Sequence, residues 1–177
     1  MTLTVETINE LDLTPQADAE IAALLMDAFD AGFGERSFYR QRHHLRLLAR
    51  DGEVLAGHVA LLYRVVQANG VLIPIIGLAE VATADTHRGQ GIARKLVTRS
   101  LDIAKRSQAQ FALLFGDPNH YSRYGFRVAP NPLRHLDLWD GKSRGIKTAP
   151  DSEFMVAQTG DQVWIDEGEV DLMGHVF

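Results

Sequence analysis

An α/β fold is what the sequence predicts, and three observations predict it. Leu3 to Ile8 alternates and is rich in β-branched residues, as a strand is, and Leu45 to Arg50 and Val54 to Gln67 read as two further strands joined by a hairpin turn. Ile21, Leu24, Leu25, Ala28 and Phe29 fall at helical spacing, as do Ile92, Ala93, Leu96, Val97, Leu101 and Ala104. Between Leu78 and Arg106 the chain reads as a strand, a glycine-containing loop and a helix in direct succession.

The bulk properties bound what the protein does. At 177 residues the chain fits a single domain spanning 1–177, and folding at this size buries roughly 70% of the surface that the unfolded chain exposes. Hydrophobic residues make up 46% and charged residues 23%, a globular balance. No apolar run approaches the roughly 20 residues of a membrane span, and the opening MTLTVETINE lacks the basic and apolar regions of a secretion signal. The expectation is a cytoplasmic protein with no membrane partner. A formal charge of −5 argues against broad nucleic-acid binding, which depends on neutralising phosphates. With no cysteine there is neither a disulfide framework nor a cysteine nucleophile.

Taken in order, Thr14-Pro15 caps and begins a helix, which Ala31-Gly-Phe-Gly34 ends; Glu35 to Arg42 is expected to form a second short helix. Arg36, Arg40, Arg42, His43, His44, Arg46 and Arg50 form the densest basic stretch. It reads either as a solvated face or as a receiver of an acidic substrate, and the first is preferred. His43-His44 lacks further ligands at suitable spacing, so no metal is expected. Asp51-Gly52 and Asn69-Gly70 are hairpin turns between successive antiparallel strands. Pro74 and Gly77 are expected to break or bulge the strand after the second turn. Beyond Phe126 the chain is loop-rich to Pro150, with a strand at Leu133 to Leu138, followed by strands at Phe154 to Ala157 and Val163 to Ile165. The last segment, Val170 to Phe177, returns to the sheet, and as an exposed strand it offers a route to a homodimer.

The chemistry concentrates at Arg88-Gly89-Gln90-Gly91-Ile92-Ala93. A glycine loop opening a helix aims unpaired backbone N–H groups, backed by the helix dipole, at one point, which makes an anion cradle. Neither nucleotide motif is present: no Gly-x4-Gly-Lys-Ser/Thr run exists, and the sixth position counted from Gly89 is Arg94 where a dinucleotide fingerprint needs Gly or Ala. The pattern Arg-x-x-Gly-x-Ala, filled by Arg88, Gly91 and Ala93, resembles the acyl-CoA pyrophosphate loop of the GNAT N-acetyltransferases. A second element agrees with it. Tyr121, Gly125 and Phe126 match the Tyr-x-x-x-Gly-Phe element that follows the fifth strand in that family, and the wording Gly-Asp-Pro…Arg-Tyr-Gly-Phe looks like a poorly characterised bacterial branch.

The resemblance implies a GNAT-like domain with a mixed, mostly antiparallel sheet of about six to seven strands, flanked by helices and splayed between strands 4 and 5. It implies acetyl transfer from acetyl-CoA, as cosubstrate, to a primary amine on a small molecule or peptide, by direct attack in a ternary complex. Main chain at Val81, Ala82 and Thr83 would hold the pantetheine arm; Arg88, Gly89, Gln90, Gly91, Ile92, Ala93 and Arg94 would hold the pyrophosphate; Asn119 and Tyr121 would complete the cofactor contacts. The sequence departs from many members in carrying Leu114 and Asp117 where an asparagine and a small residue are usual, and in a helix shortened by Gly116-Asp-Pro118.

Two side chains are candidates for the chemistry. A lysine-like amine with pKa about 10.4 is neutral on the order of one time in a thousand at pH 7, so a base helps. Glu80, read as sitting among small apolar neighbours, is that candidate; the alternative is a carboxylate facing solvent or paired with an arginine. Tyr121 is the candidate donor to the leaving thiolate, although full proton transfer from a phenol of pKa about 10 to a thiolate is uphill by roughly 2 kcal/mol. The alternative for Tyr121 is packing. Two other functions stay open: a CoA-binding sensor or interaction module without turnover, and, from a looser likeness to nodulation N-acyltransferases, an enzyme using a longer acyl-CoA.

Overall fold

The computed structural model describes residues 2–29 and 33–177. The elements follow one another as β1 (Leu3–Asn9), α1 (Pro15–Ala28), β2 (Leu45–Asp51), β3 (Val54–Ala68), β4 (Val71–Thr83), α2 (Ile92–Arg106), β5 (Phe111–Phe115), α3 (Pro118–Tyr121), β6 (Arg127–Val128), β7 (Leu133–Trp139), β8 (Lys142–Ala149), β9 (Phe154–Gln158) and β10 (Val170–His175). All ten strands join one sheet in the order β6-β9-β5-β4-β3-β10-β7-β8, with β2 also on β3 and β1 on β2. Parallel pairing occurs between β4 and β5 and between β10 and β7, while β1–β2, β2–β3, β5–β9 and β7–β8 are antiparallel. The class is therefore the expected mixed α/β one, with more strands than the six to seven expected.

Two compact units share these elements, the first within Met1–Leu62 and Ala79–Ser100, the second within Tyr63–Leu78 and Leu101–Phe177. In the first, Thr14 caps α1 by accepting the Ala17 N–H at 3.2 Å, and Pro15 occupies the first turn, where a missing N–H costs nothing. The apolar face of α1 then packs Ile21, Leu24 and Leu25 against Leu48, Phe33 and Ala82. Gly57 of β3 lies under α2, where an added Cβ would stand 2.5 Å from Ile92 Cγ2 and 3.2 Å from the Ala82 carbonyl. Only the absence of a side chain lets the helix approach the strand this closely.

In the second unit Val66, Ile75, Phe111, Leu113, Phe154 and Leu172 form the core around Trp164. The Trp164 ring meets Phe111 edge-on at 5.0 Å, and its indole N–H donates to Asn131 Oδ1 at 2.9 Å. Here β4 and β5 pair from Ile75–Phe111 to Leu78–Leu114, and β4 runs on to Thr83.

Several expectations are corrected. No second helix forms over 35–42: Gly34 and Glu35 take φ of 54° and 63°, and the chain beyond them runs irregularly to β2. The expected stop at Ala31-Gly32 lies outside the described residues; α1 ends at Ala28, with the Phe29 N–H on the Leu25 carbonyl. The first hairpin turns at Gly52-Glu53 and not at Asp51-Gly52, because Asp51 still pairs with Val54. Pro74 and Gly77 do not break β4. Pro74 lies just before the pairing with β5 begins, Gly77 makes room for the Phe177 ring, and the β4 residue with left-handed backbone is Glu80, at φ 55°.

In the part read as loop, Asp140-Gly141 turns β7 into β8, an edge strand whose every residue is exposed, so no hydrophobic alternation marks it. Val163 to Ile165 is not a strand; Trp164 alone turns inward while Val163 and Ile165 are exposed. β10 is not a free edge either. It pairs with β3 on one side and β7 on the other, which removes the basis for dimerisation through it. Among the described residues no helix is long and apolar enough to cross a membrane.

Gly57→Ala is expected to destabilise the protein by about 1–3 kcal/mol, the range for overpacking beside a buried side chain. Urea unfolding of the purified variant checks this, and an unchanged midpoint would contradict the contact.

Candidate active site

The glycine loop has the form an anion cradle needs. A tight turn at Asp85–His87 is tied to β3 by the Ala84 N–H on the Ala56 carbonyl at 3.0 Å. Gly89 and Gly91 both follow with φ of 77°, and a Cβ on either would meet nothing within 4 Å, so conformation and not space calls for glycine there. Helical bonding begins with the Lys95 N–H on the Gly91 carbonyl at 3.0 Å. The amides of Gly91, Ile92, Ala93 and Arg94 precede that bond and have no intrahelical acceptor. Buried Ile92 anchors this end of α2, while Arg88, Gly89, Gln90, Gly91 and Arg94 are exposed. Arg88 pairs with Asp85 at 2.8 Å, and the Gln90 amide reaches the Thr86 carbonyl at 3.4 Å.

Glu80 sits in a buried polar cluster and not among small apolar side chains. Its Oε1 accepts the Tyr39 N–H at 2.7 Å, and Oε2 faces Arg46 Nη1 at 3.4 Å. His43 Nε2 stands 3.0 Å from Oε1, outside hydrogen-bonding direction. Of the two alternatives read in the sequence, the structure shows the pairing with an arginine. Arg46 is wholly buried and holds Glu10 with two parallel bonds, Nε to Oε2 at 2.7 Å and Nη2 to Oε1 at 3.0 Å. Its Nη1 also donates to the Ser37 carbonyl at 2.7 Å and to His58 Nε2 at 3.1 Å. The basic stretch is therefore not a solvated face: Arg42 bridges Glu10 and Asp18, and Arg50 bridges Glu6 and Glu20.

His58 has its protonation assigned by its partners. Its Nδ1 lies 2.9 Å from the Glu80 main-chain carbonyl, which only accepts, and its Nε2 faces a guanidinium, which only donates. The ring must carry its proton on Nδ1 and stay neutral. Burial, with Arg46 next, lowers its pKa to about 3. The left-handed backbone of Glu80 belongs to this arrangement, since Glu80 contributes a main-chain carbonyl to His58 and a carboxylate to Tyr39 and Arg46.

In the second unit Asp117 caps α3, accepting the Asn119 N–H at 2.9 Å and its side-chain amide at 3.0 Å. Asn119 is thus engaged in the cap and exposed. Tyr121 is the last residue of α3, which tightens into the Ser122–Tyr124 turn and stops at Gly125, φ 91°. Its ring lies on Gly116, where a Cβ would come within 2.5 Å of Cε2, and meets His120 edge-on at 4.9 Å. Burial, with Tyr124 adding to it, pushes the Tyr121 pKa up to about 12. Arg123 turns back onto His120 through its carbonyl and Nδ1, at 3.0 and 2.9 Å. Among the described residues no group of three acidic, histidine or cysteine side chains is arranged to hold a metal.

The family model of the acetyltransferase (GNAT) domain matches residues 12–129, which takes in the glycine loop, Glu80 and Tyr121. The chain belongs to the GNAT acetyltransferase family. It is 35% identical over 130 residues to the uncharacterized N-acetyltransferase YhbS of Escherichia coli K12, covering 71% of this chain and 68% of that one. The structure of Escherichia coli YhbS in complex with CoA is similar over 97% of this chain and 91% of that one, with a TM-score of 0.65 and 28% identity. A GNAT family acetyltransferase from Brucella melitensis, solved with acetyl-CoA, covers 94% of each chain at a TM-score of 0.61 and 22% identity, a likeness of fold. This GNAT chain is thus an acyl-transfer enzyme with a CoA-type cosubstrate.

The expected residues fall in both units: Glu80 to Thr83 and Arg88 to Arg94 in the first, Asn119 and Tyr121 in the second. Sequence reasoning missed the partners of Glu80. One signal was available, an arginine interrupting the apolar run Leu45-Arg46-Leu47-Leu48-Ala49, since a charge on a buried strand face demands counter-charges.

Because the folded protein keeps His58 neutral to about pH 3 while the unfolded chain protonates near 6.5, its contribution is complete above pH 6.5 and is lost as pH falls through that window. Glu10, whose burial is outweighed by Arg46 and Arg42 so that its pKa is lowered, adds to the loss in acid. Urea midpoints should fall from pH 7 to pH 4, and His58→Gln should flatten the slope between pH 6.5 and 5; an equal slope in the variant would contradict the assignment.

Proposed function

We propose that the protein transfers an acetyl group from acetyl-CoA to a primary amine by direct attack within a ternary complex. The observation that carries this reading is the paired left-handed glycines at 89 and 91, which lead an exposed loop into α2, whose first amides have no intrahelical acceptor. Such a run suits a pyrophosphate, with the helix dipole adding to the attraction. The similarity to YhbS, solved with CoA, supports it. Main chain at Val81, Ala82 and Thr83 is proposed to bind the pantetheine amides as an added strand would, because this part of β4 lies beyond its pairing with β5.

Tyr121 is proposed as the hydrogen-bond donor to the departing thiolate. With its pKa at about 12, complete transfer to a thiolate of pKa about 8.5 is uphill by about 5 kcal/mol. The phenol therefore keeps its proton and stabilises the sulfur's charge through the bond, and the thiolate takes its proton later, from water. Glu80 is proposed to receive the acceptor's nitrogen and its proton. Its carboxylate is the group that would attract an ammonium and take the proton that the attacking nitrogen sheds. An amine of pKa about 10.4 reaches its neutral form mostly through its own equilibrium with water. The arrangement needs no covalent intermediate, in keeping with a chain that lacks cysteine.

Thiol release from acetyl-CoA over a panel of primary amines tests the activity. Tyr121→Phe is expected to lower kcat by about 10- to 100-fold, a few kcal/mol at most for one charge-assisted bond, while leaving acetyl-CoA affinity by calorimetry unchanged; equal rates would remove Tyr121 from the chemistry. With an unassisted amine, kcat/KM should climb close to tenfold per pH unit from pH 7 to 9, with no falling limb from Tyr121 before pH 10, and a plateau from pH 7 would show a stronger base than Glu80. Gly91→Val, strained at φ 77°, should raise the acetyl-CoA Kd by tenfold or more.

A further inference from the structure

We propose that Arg40 reads a carboxylate on the acceptor, so that the substrates are amino acids or amino-acid-derived amines that keep a free carboxylate. The inference rests on the acetyl-transfer reading above. It comes from how the cations of residues 36–50 are used. Arg42, Arg46 and Arg50 each hold two acidic side chains, and Arg36 donates to the Tyr39 carbonyl at 3.4 Å. Arg40 has no carboxylate among the described residues. Its guanidinium carbon lies 5.0 Å from the centre of the Tyr39 ring, and its Nε is buried with no acceptor.

A guanidinium half out of water with an unmet N–H is poised for an oxyanion, and its planar fork fits a carboxylate with two parallel bonds. The surroundings hold it in place. Tyr39 packs on buried Phe33 at 5.5 Å, which stacks on Phe29 at 5.2 Å, so the residue under Arg40 is fixed to the first unit's core. The backbone N–H of that same Tyr39 donates to Glu80 Oε1. One residue thus carries a carboxylate suited to an ammonium at its amide and a guanidinium suited to a carboxylate at its ring. Chemistry of opposite sign at the amide and at the ring of Tyr39 matches the two ends of an amino acid.

The test compares matched acceptors that differ only in the carboxylate, lysine against cadaverine and phenylalanine against phenethylamine, in the thiol-release assay. Wild type should favour the amino acid by about tenfold or more in kcat/KM, and Arg40→Gln should abolish that preference with acetyl-CoA KM unchanged. Arg40→Lys, which keeps the charge and loses the fork, should fall between them. A preference that survives in Arg40→Gln, or equal use of both members by wild type, overturns the inference while leaving acetyl transfer standing. A rise in acetyl-CoA KM in Arg40→Gln assigns the guanidinium to a cofactor phosphate and overturns it as well. Binding gives a readout independent of turnover: by calorimetry on the CoA-loaded protein, N-acetylphenylalanine should bind wild type about tenfold tighter than N-acetylphenethylamine and Arg40→Gln equally. If no amine releases thiol, the activity reading fails, and this binding difference still decides the role of Arg40.

Discussion

A wholly buried guanidinium, that of Arg46, is the constraint on which the first unit's site depends. Taken out of water, it requires acceptors around its whole fork, and it finds them on Glu10 after β1, Ser37 in the irregular segment, His58 on β3 and Glu80 on β4. Removing one partner of such a pair costs about 3–5 kcal/mol because the other charge is left bare. The described part of the segment between α1 and β2, residues 33–44, forms no helix or strand, yet Ser37, Tyr39 and Arg42 each engage a charged side chain or carboxylate. Electrostatic need, and not secondary structure, gives this segment its path.

The same cluster explains how a strand residue comes to have backbone that L side chains rarely adopt. Glu80 at φ 55° would be strained in isolation. Its carbonyl meets His58, and its carboxylate meets Tyr39 and Arg46, so the surrounding contacts over-determine the conformation. The strain lies at the residue proposed to meet the acceptor amine, one step before the β4 main chain proposed to meet the cosubstrate. Glycines serve the site in three different ways. Gly91 provides a left-handed turn in open space, Gly57 leaves room for Ile92 so that α2 packs on β3, and Gly116 provides a floor for the Tyr121 ring.

Much of the architecture was legible because burial imposes a period. β2, β3, α1, α2 and β9 each bury one face or both, β1 half-buries Leu3, Val5 and Ile8, and their apolar residues report it. β8 was not legible, since an edge strand exposed along its length carries no alternation and is defined only by its bonds to β7. Trp164 misled in the opposite sense, as a large apolar residue flanked by Val163 and Ile165 looks like a strand but is a single anchor tied to Asn131. Pro74 and Gly77 marked a true local peculiarity of β4, but one of packing; the backbone irregularity falls at Glu80, which has no glycine to announce it.

By itself the sequence determined the α/β class, the glycine loop that opens α2, the cap of α3 and the family to which these point, because each is a local pattern in which neighbouring residues dictate one another's conformation. The tertiary structure alone decided what surrounds Glu80, which arginines are spent on internal pairs, and that Arg40 meets no carboxylate among the described residues. Those facts depend on residues dozens of positions apart, and charge carries no periodicity along a chain to say which partner it will find in space.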